Sequence, residues 1–488
     1  MIHINFLYHH IHLSQMTRPQ KKRKSSVNEV GRHVVTWSSM FTVLTCIQCM
    51  LTSTTLMFIL ASQQLLEASR LSDIATEREP VKYQRKKWSL EQKRFSDTLF
   101  YRLFRMYRAC FLQLCLDIEA EVGTKEFKSE QYLQHLDTTA IMDRTSSAYH
   151  ARKHTSGDTI SGEWKVALTL RMMAGATYLD MYLWSNVSTF HICKIFNHVT
   201  KNWINAALSI DIYDDVMGNE NKLHEIINAF SKTSDGILTG CIGALDGWLV
   251  PILCPKLSEV NNPGKYFARK GFYALNVQVI CDKEKRVTWR SIGQIGSIHD
   301  SRAFNITSLA AYLKRNVQKF IEAGVYFVGD SAYALRPYLL TPYDNAGPGS
   351  KDDVFNYFLS RNRIYVECVF GEVNRRFGIF WRPLEGSLER HVSTIDAALK
   401  LHNYIVEYRL AHKPNYELVD ETLQLEIPRR TFNLHNPGEM EGMMVEEALL
   451  QNARGRKTNE DNALREEGVT IRDDLRDSLW DAGLRRPQ

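Results

Sequence analysis

Paired cysteine is the first thing missing from this sequence. Its nine cysteines are odd in number and scattered over 488 residues, which argues against a disulfide framework and for a reduced intracellular chain. The one tight pair, Cys46 and Cys49, sits inside an apolar run with no second Cys or His pair at a supporting distance, so a structural zinc site is not expected. A large excess of one charge is missing too: 61 Lys and Arg face 55 Asp and Glu, a net +6. That balance permits a nucleic-acid partner without demanding one.

Charge disappears altogether between Val34 and Leu66. The middle of the stretch, MFTVLTCIQCMLTSTTLMFILA, approaches the roughly 20 apolar residues that span a bilayer, although Thr, Ser and Gln dilute it. Basic residues stand on both sides, Lys21, Lys22, Arg23 and Lys24 before and Arg85, Lys86 and Lys87 after, so the positive-inside rule chooses no orientation. No obvious small-residue cleavage site marks a signal peptide. A buried or partner-binding helix over 34–66 is expected, with a membrane span as the alternative.

The length exceeds what one hydrophobic core serves, and 44% apolar content is ordinary for a globular protein, so two folded regions plus tails are expected. Residues 1–33 read as a basic, disordered tail whose Lys21 cluster has the form of a nuclear import signal. Met16 opens a more typical basic start than Met1. Residues 67–98 are charged, contain Pro80 and read as a linker. From 99 to 230 the apolar spacing is helical, beginning with Leu99, Leu103, Met106, Cys110 and Leu114.

Within that region Ser188 is placed to cap a helix whose buried stripe is Ile192, Ile195, Phe196, Val199 and Trp203. Thr189, His191, Lys194, Asn197 and Lys201 are left outside the stripe. They are residue types that read bases or hold phosphates in a helix-turn-helix, and equally types that form the outer face of any helical hairpin. From Gly236 the texture changes to short β-branched runs, then helical patterns at 301–323, 360–379 and 391–410. A mixed α/β domain over 236–410 follows. Residues 411–488 are polar, mixed in charge and poorly periodic, and read as a largely disordered tail.

Two aspartates end strand-like segments, Asp246 after CIGAL and Asp330 after VYFVG. Acids at strand ends sit where loops leave the scaffold, which is where chemistry collects. A third acid, Glu367, lies in the helical segment RNRIYVECVFGEVNRRFGIF. Converging carboxylates suit hard divalent cations. Two such ions about 4 Å apart can drive in-line phosphoryl displacement. A single strand-end Asp is as readily a turn residue or a helix cap, so the combination carries the weight.

The segments GALDGWLVPI, YFARKGFYALNVQVICD, GSIHDSRAF, VGDSAYALRPYLLTPY, FNYFLSRNRIYVECVFGEVNRRF and LHNYIV occur in this order. Together they resemble the DDE endonuclease domain of PIF/Harbinger transposases over about residues 238–408. The 36 residues between Asp330 and Glu367 are close to the spacing familiar from DDE enzymes. The resemblance implies an α/β, RNase H-like catalytic domain preceded by an α-helical, helix-turn-helix-like domain. It implies a metal triad of Asp246, Asp330 and Glu367 holding two Mg²⁺ or Mn²⁺ ions. A separate Myb-like DNA-binding partner is implied as well, and a homo-oligomer is compatible.

Asp300, inside GSIHDSRAF, reads as an auxiliary acid, favoured as the cap of the following helix with an outer role at the site. Glu372 competes with Glu367 but lies five residues on, about 140° round a helix, and only Glu367 falls within the VE-x-x-FG pattern. Arg363, one turn before Glu367, is placed to orient that carboxylate or touch the scissile strand. Lys194, Lys201, Lys265, Arg269, Lys270, Arg361, Arg375 and Arg376 are the candidate DNA contacts. The expected function is metal-dependent cleavage of DNA at transposon ends and joining to target DNA, in the nucleus. A catalytically silent, domesticated DNA-binding or scaffold protein, tethered at a membrane through 34–66, is the alternative; a hydrolase of small phosphoesters leaves the basic residues unexplained.

Overall fold

The computed structural model describes residues 30–76, 85–128, 160–210, 220–412 and 459–487. The Lys21 cluster, Pro80 and residues 413–458 lie outside the described residues. Two units separate, Met1–Val81 and Lys82–Gln488.

In the first unit the uncharged stretch forms one helix, α1 (Val30–Thr76), which runs ten residues beyond Leu66 into the expected linker. Its hydroxyl side chains fold back on their own backbone: Thr52 Oγ1 donates to Gln48 O at 2.9 Å, Thr55 Oγ1 to Leu51 O at 2.8 Å and Ser62 Oγ to Phe58 O at 2.8 Å. What remains on the outside is chiefly apolar and spread over every side, with Gln48, Gln63 and Gln64 among it. Of the expected buried or partner-binding helix, the buried form is not met, since Met40–Glu67 is exposed throughout; the stretch is long and apolar enough to cross a membrane.

The second unit begins with an aromatic core. Trp88, expected in a linker, is buried and stacks on Trp164 with ring centroids 5.0 Å apart, and its indole meets Phe104 edge-on at 5.8 Å. Burying two indoles removes more apolar surface from water than any other pair of side chains could. Around them stand α2 (Asp97–Phe104), α3 (Arg108–Val122), α4 (Gly162–Met173) and α5 (Tyr178–Ser185), the last started by a Thr177/Asp180 capping box. Helix α6 (Thr189–His198) starts where Ser188 Oγ accepts from His191 N, and continues as a π-turn over Val199–Ile204, and α7 (Glu220–Ser231) leads toward the strands. The anticipated stripe of Ile192, Ile195, Phe196, Val199 and Trp203 is wholly buried.

The β-branched segments pair as one mixed sheet. Strands β1 (Cys241–Pro251), β2 (Phe267–Ala268), β3 (Phe272–Cys281), β4 (Val287–Ile295), β5 (Tyr326–Val328) and β6 (Leu339–Leu340) run β4-β3-β1-β5-β6 across it, with β2 extending the β3 edge. The β1–β3 and β3–β4 pairs are antiparallel, while β1–β5 and β5–β6 are parallel. A parallel partner needs a crossover, and three short helices supply it: α8 (Asp300–Asn305), α9 (Ser308–Arg315) and α10 (Val317–Ala323). The expected mixed α/β domain is met.

Two long helices pack against the sheet. On α11 (Lys351–Arg376), Val366, Val369 and Val373 are fully buried and Phe370 stacks on Trp248 of β1. On α12 (Leu388–Ala411), the Asn403 amide accepts from Val287 N at 2.8 Å and donates to Val287 O at 2.7 Å, fixing the helix to β4.

The tail after 411 needs correcting. Residues Asn459–Asp481 form helix α13, which packs on α11. Leu464 and Leu479 are buried, Gly468 lets the helix approach the Arg336 backbone, and Lys351–Asp477 (3.0 Å) and Arg476–Asp352 (3.3 Å) pairs line the seam. Only a sparse apolar row marks this helix, which is why its charge hides it. Leu479→Ala should therefore cost roughly 2–5 kcal/mol, seen as a lower urea midpoint; an unchanged midpoint would mean the helix does not dock.

Candidate metal centre

Strand pairing brings the first two acids together. The parallel register joins Ala244 of β1 to Val328 of β5. Asp246 and Asp330 each lie two residues further on, so their side chains leave the same face at neighbouring positions. Asp246 does not end its strand as expected. It sits within β1, opposite Val279 of β3, and β1 continues to Pro251. Asp330 does follow the end of β5, and its Oδ1 accepts from Ala332 N at 3.0 Å, turning the chain.

Helix α11 lays the third acid beside them. Arg363 Nη1 lies 2.6 Å from Glu367 Oε1 and 3.7 Å from Asp246 Oδ2, so one guanidinium bridges helix and strand. The orienting role expected of Arg363 has its geometry here. Glu372 faces elsewhere: it pairs with Lys285 at 2.5 Å and with Arg376 at 3.8 Å. The helical angle that separates the two glutamates in sequence separates them in space.

Asp300 departs from the expected helix cap, while its expected auxiliary place beside the acids stays open. His299 occupies the N-cap position of α8, and no side chain caps that helix. The Asp300 carboxylate turns to the sheet instead, where Oδ1 accepts from Asn276 Nδ2 at 2.9 Å and Gln278 Nε2 at 3.1 Å. Gln278 Nε2 also donates to Asn276 Oδ1, and Tyr333 Oη donates to Gln278 Oε1 at 2.6 Å. Asn276, Gln278 and Tyr333 are all buried. Sequence reasoning passed over these three, although two amides at alternate positions of the otherwise apolar run YALNVQVIC were the available signal.

Burial and like charge act together on the acids. Burial, with Asp330 and Asp300 adding to it, pushes the Asp246 carboxyl up to about 6 against the opposing Gly247 N–H and Arg363. Asp330 is raised chiefly by burial and further by Asp300, while the Ala332 N–H, Arg363 and Arg269 oppose. Tyr333 is raised by burial and by the charges of Asp300, Asp246 and Asp330.

Among the described residues, no three His, Cys, Asp or Glu side chains already stand in metal-holding positions; Arg363 occupies the space between Asp246 and Glu367. The donor chemistry nevertheless fits a hard divalent cation. Every group is an oxygen ligand, and a cation would offset the burial and the like charge that together raise Asp246 and Asp330.

The basic candidates divide. Lys265, Arg269 and Lys270 are exposed around the β2–β3 turn, and Arg361 and Arg375 are exposed on α11. Lys194 lies over the Phe190 ring at 4.0 Å. Lys201, though exposed, pairs with Glu389 of α12. Arg376 must be withdrawn as a DNA contact: its guanidinium is turned inward onto His402 Nδ1 at 2.6 Å and toward Glu372, where it serves packing.

Residues 245–403 match the family model described as DDE superfamily endonuclease. Among curated relatives, "Putative nuclease HARBI1" of Xenopus laevis is 24% identical over 35% of this chain and 48% of its own length. "Protein ALP1-like" of Arabidopsis thaliana is 26% identical over 38% and 48%. "Putative nuclease HARBI1" of Rattus norvegicus is 30% identical over 35% and 47%. The chain thus spans about half the length of the curated relatives it matches. No solved structure matches it.

The Asp246 shift fixes a pH dependence. Because the folded state holds this proton more tightly than the ordinary value of 3.8, the residue's contribution to stability is full below about pH 4 and lost as pH rises through about 6. In metal-free buffer Asp246→Asn should match wild type near pH 4 and gain on it toward pH 7. Unfolding midpoints across that range test this, and a pH-independent difference would contradict it.

Proposed function

Since residues 245–403 form a Harbinger-type domain of the DDE endonuclease superfamily, we propose that the chain is a metal-dependent DNA endonuclease of transposase type, cutting phosphodiesters at transposon ends and joining them to target DNA. Its sheet supports an RNase H-like reading: in chain order of the five main strands the layout is third, second, first, fourth, fifth, with the first and fourth parallel. The observation that carries the proposal is the shared register that sets Asp246 beside Asp330, with Arg363 tying Glu367 to Asp246.

Asp246, Asp330 and Glu367 would hold two Mg²⁺ or Mn²⁺ ions. When bound, such ions activate an attacking oxygen and neutralise the leaving oxygen of an in-line displacement. Arg363 steers Glu367 and supplies a positive charge of its own beside the acids. Exposed Lys265, Arg269, Lys270, Arg361 and Arg375 offer phosphate contacts that would hold DNA across the site.

In the helical region, Lys194 and Asn197 remain available to DNA in a helix-turn-helix role, whereas the π-turn after α6 and the residue that follows it are committed to α12 through Lys201–Glu389 and an Asn205 Nδ2 to Ser393 O bond of 3.2 Å. A Myb-like partner would supply further sequence reading, and a nuclear location goes with the substrate.

Asp330→Asn should reduce Mg²⁺- or Mn²⁺-dependent cleavage of terminal-repeat DNA by at least about 1,000-fold, taking several kcal/mol of electrostatic stabilisation out of the transition state, with circular dichroism unchanged. Undiminished cutting by the variant would overturn the assignment. Wild-type protein that binds these ends without cutting them would favour the silent, domesticated form.

A further inference from the structure

Helix α1 takes no part in the candidate metal centre, and every residue from Met40 to Glu67 is exposed. At roughly 100° per residue, Phe58, Phe41, Leu56, Leu60 and Met57 follow one another round the whole circumference, with no arc wider than about 100° between neighbours. All five are exposed, Phe58 at 82% and Phe41 at 75%. Gln48, Thr52 and Gln63 on one side are interleaved with Phe41, Leu56 and Ile59, so no polar face forms. A helix lying on a protein or on a membrane surface needs such a face. A second copy or a protein groove would cover one seam of α1 and leave the rest in water, whereas lipid covers all of it at once.

The dimensions agree with that occupant. Met40–Glu67 is 28 residues long. At 1.5 Å per residue this is about 42 Å of helix, against a hydrocarbon core of about 30 Å, and the excess is taken up by tilt. A bilayer interior demands that polar groups be satisfied within the span. The helix does this for its backbone, and Thr45, Thr52, Thr54, Thr55 and Ser62 each donate to a carbonyl one turn back, so these hydroxyls are used internally too. In the sequence the stretch is flanked by cations, the Lys21 cluster before it and Arg85, Lys86 and Lys87 after it. Anionic headgroups attract flanks of this kind.

Thiols orient the chain where flanking charge does not. In the second unit Cys193 and Cys368 are half-buried, Cys254 is exposed, and all three are free. Free accessible thiols persist on the reducing side of a membrane and are oxidised on the other.

We propose that α1 crosses a lipid bilayer once and anchors the chain in a membrane, with the second unit on the reducing face. This is independent of the metal-centre reading. A nuclear location then means the nuclear membrane.

Translation of the full chain into rough microsomes, followed by an alkaline carbonate wash and flotation, tests the span. Wild type should float with the vesicles. Leu51→Arg combined with Met57→Arg, which sets two charges at mid-helix, should lower the floating fraction at least about fivefold. Leu51→Phe combined with Met57→Leu keeps the helix apolar and should float as wild type does, which separates the effect of charge from damage to the helix. Protease added outside the vesicles should digest the second unit, and the acceptor sequences at Asn186 (NVS) and Asn305 (NIT) should stay unglycosylated. Wild type released by the wash, whether as a monomer or as an oligomer paired through α1, overturns the span. Equal flotation of the double-arginine variant overturns it as well, since something other than α1 then holds the membrane. A glycosylated Asn305 in a protease-protected second unit overturns the orientation.

Discussion

Parallel pairing of β1 with β5 forces two carboxylates into neighbouring positions in a half-buried place, and the surroundings follow from that constraint. Two aspartates offset equally from one paired position cannot avoid each other. Taking like charges out of water is expensive, and the raised Asp246 shows the cost directly. Arg363 partly offsets it by reaching from α11 to both Glu367 and Asp246. Around this cluster the sheet spends buried polar residues, Asn276, Gln278 and Tyr333, where an ordinary core would place Val or Leu. Structures retain such arrangements where function requires them.

The scaffold makes the cluster rigid. Helix α11 is fixed by valines against β1 and by the Trp248–Phe370 stack, so Glu367 is carried on an element whose rotation is set by packing. Asn403 ties α12 to β4 by both backbone groups of Val287. The C-terminal α13 braces α11 from its far end and covers the Arg336 backbone just beyond the Asp330 turn. Residues far apart in sequence therefore hold one site.

Much of this was legible in the sequence because it depends on short-range periodicity. The buried stripe of α6, its Ser188 cap, the change to strands after Gly236 and the separation of Glu367 from Glu372 all follow from spacing along a single element. The misreadings share another cause. Asp300 looks like a cap because it starts a helix, but its partners stand 22 and 24 residues away on β3. Arg376 looks like an exposed cation until His402, 26 residues on, takes its guanidinium. Helix α13 carries too few apolar residues to announce itself, and its buried leucines and its ion pairs with α11 become visible only once their partners are in place. Direction and partnership across the fold are absent from local pattern.

The central claim is that Asp246, Asp330 and Glu367 form a centre for divalent cations. Anomalous diffraction from crystals of the full chain grown with Mn²⁺ tests it most directly. Mn²⁺ density among these three carboxylates, with Arg363 displaced from its bridge to Asp246, is the predicted result. Crystals saturated with Mn²⁺ that show no anomalous density there, and Arg363 still spanning Glu367 and Asp246, would contradict it.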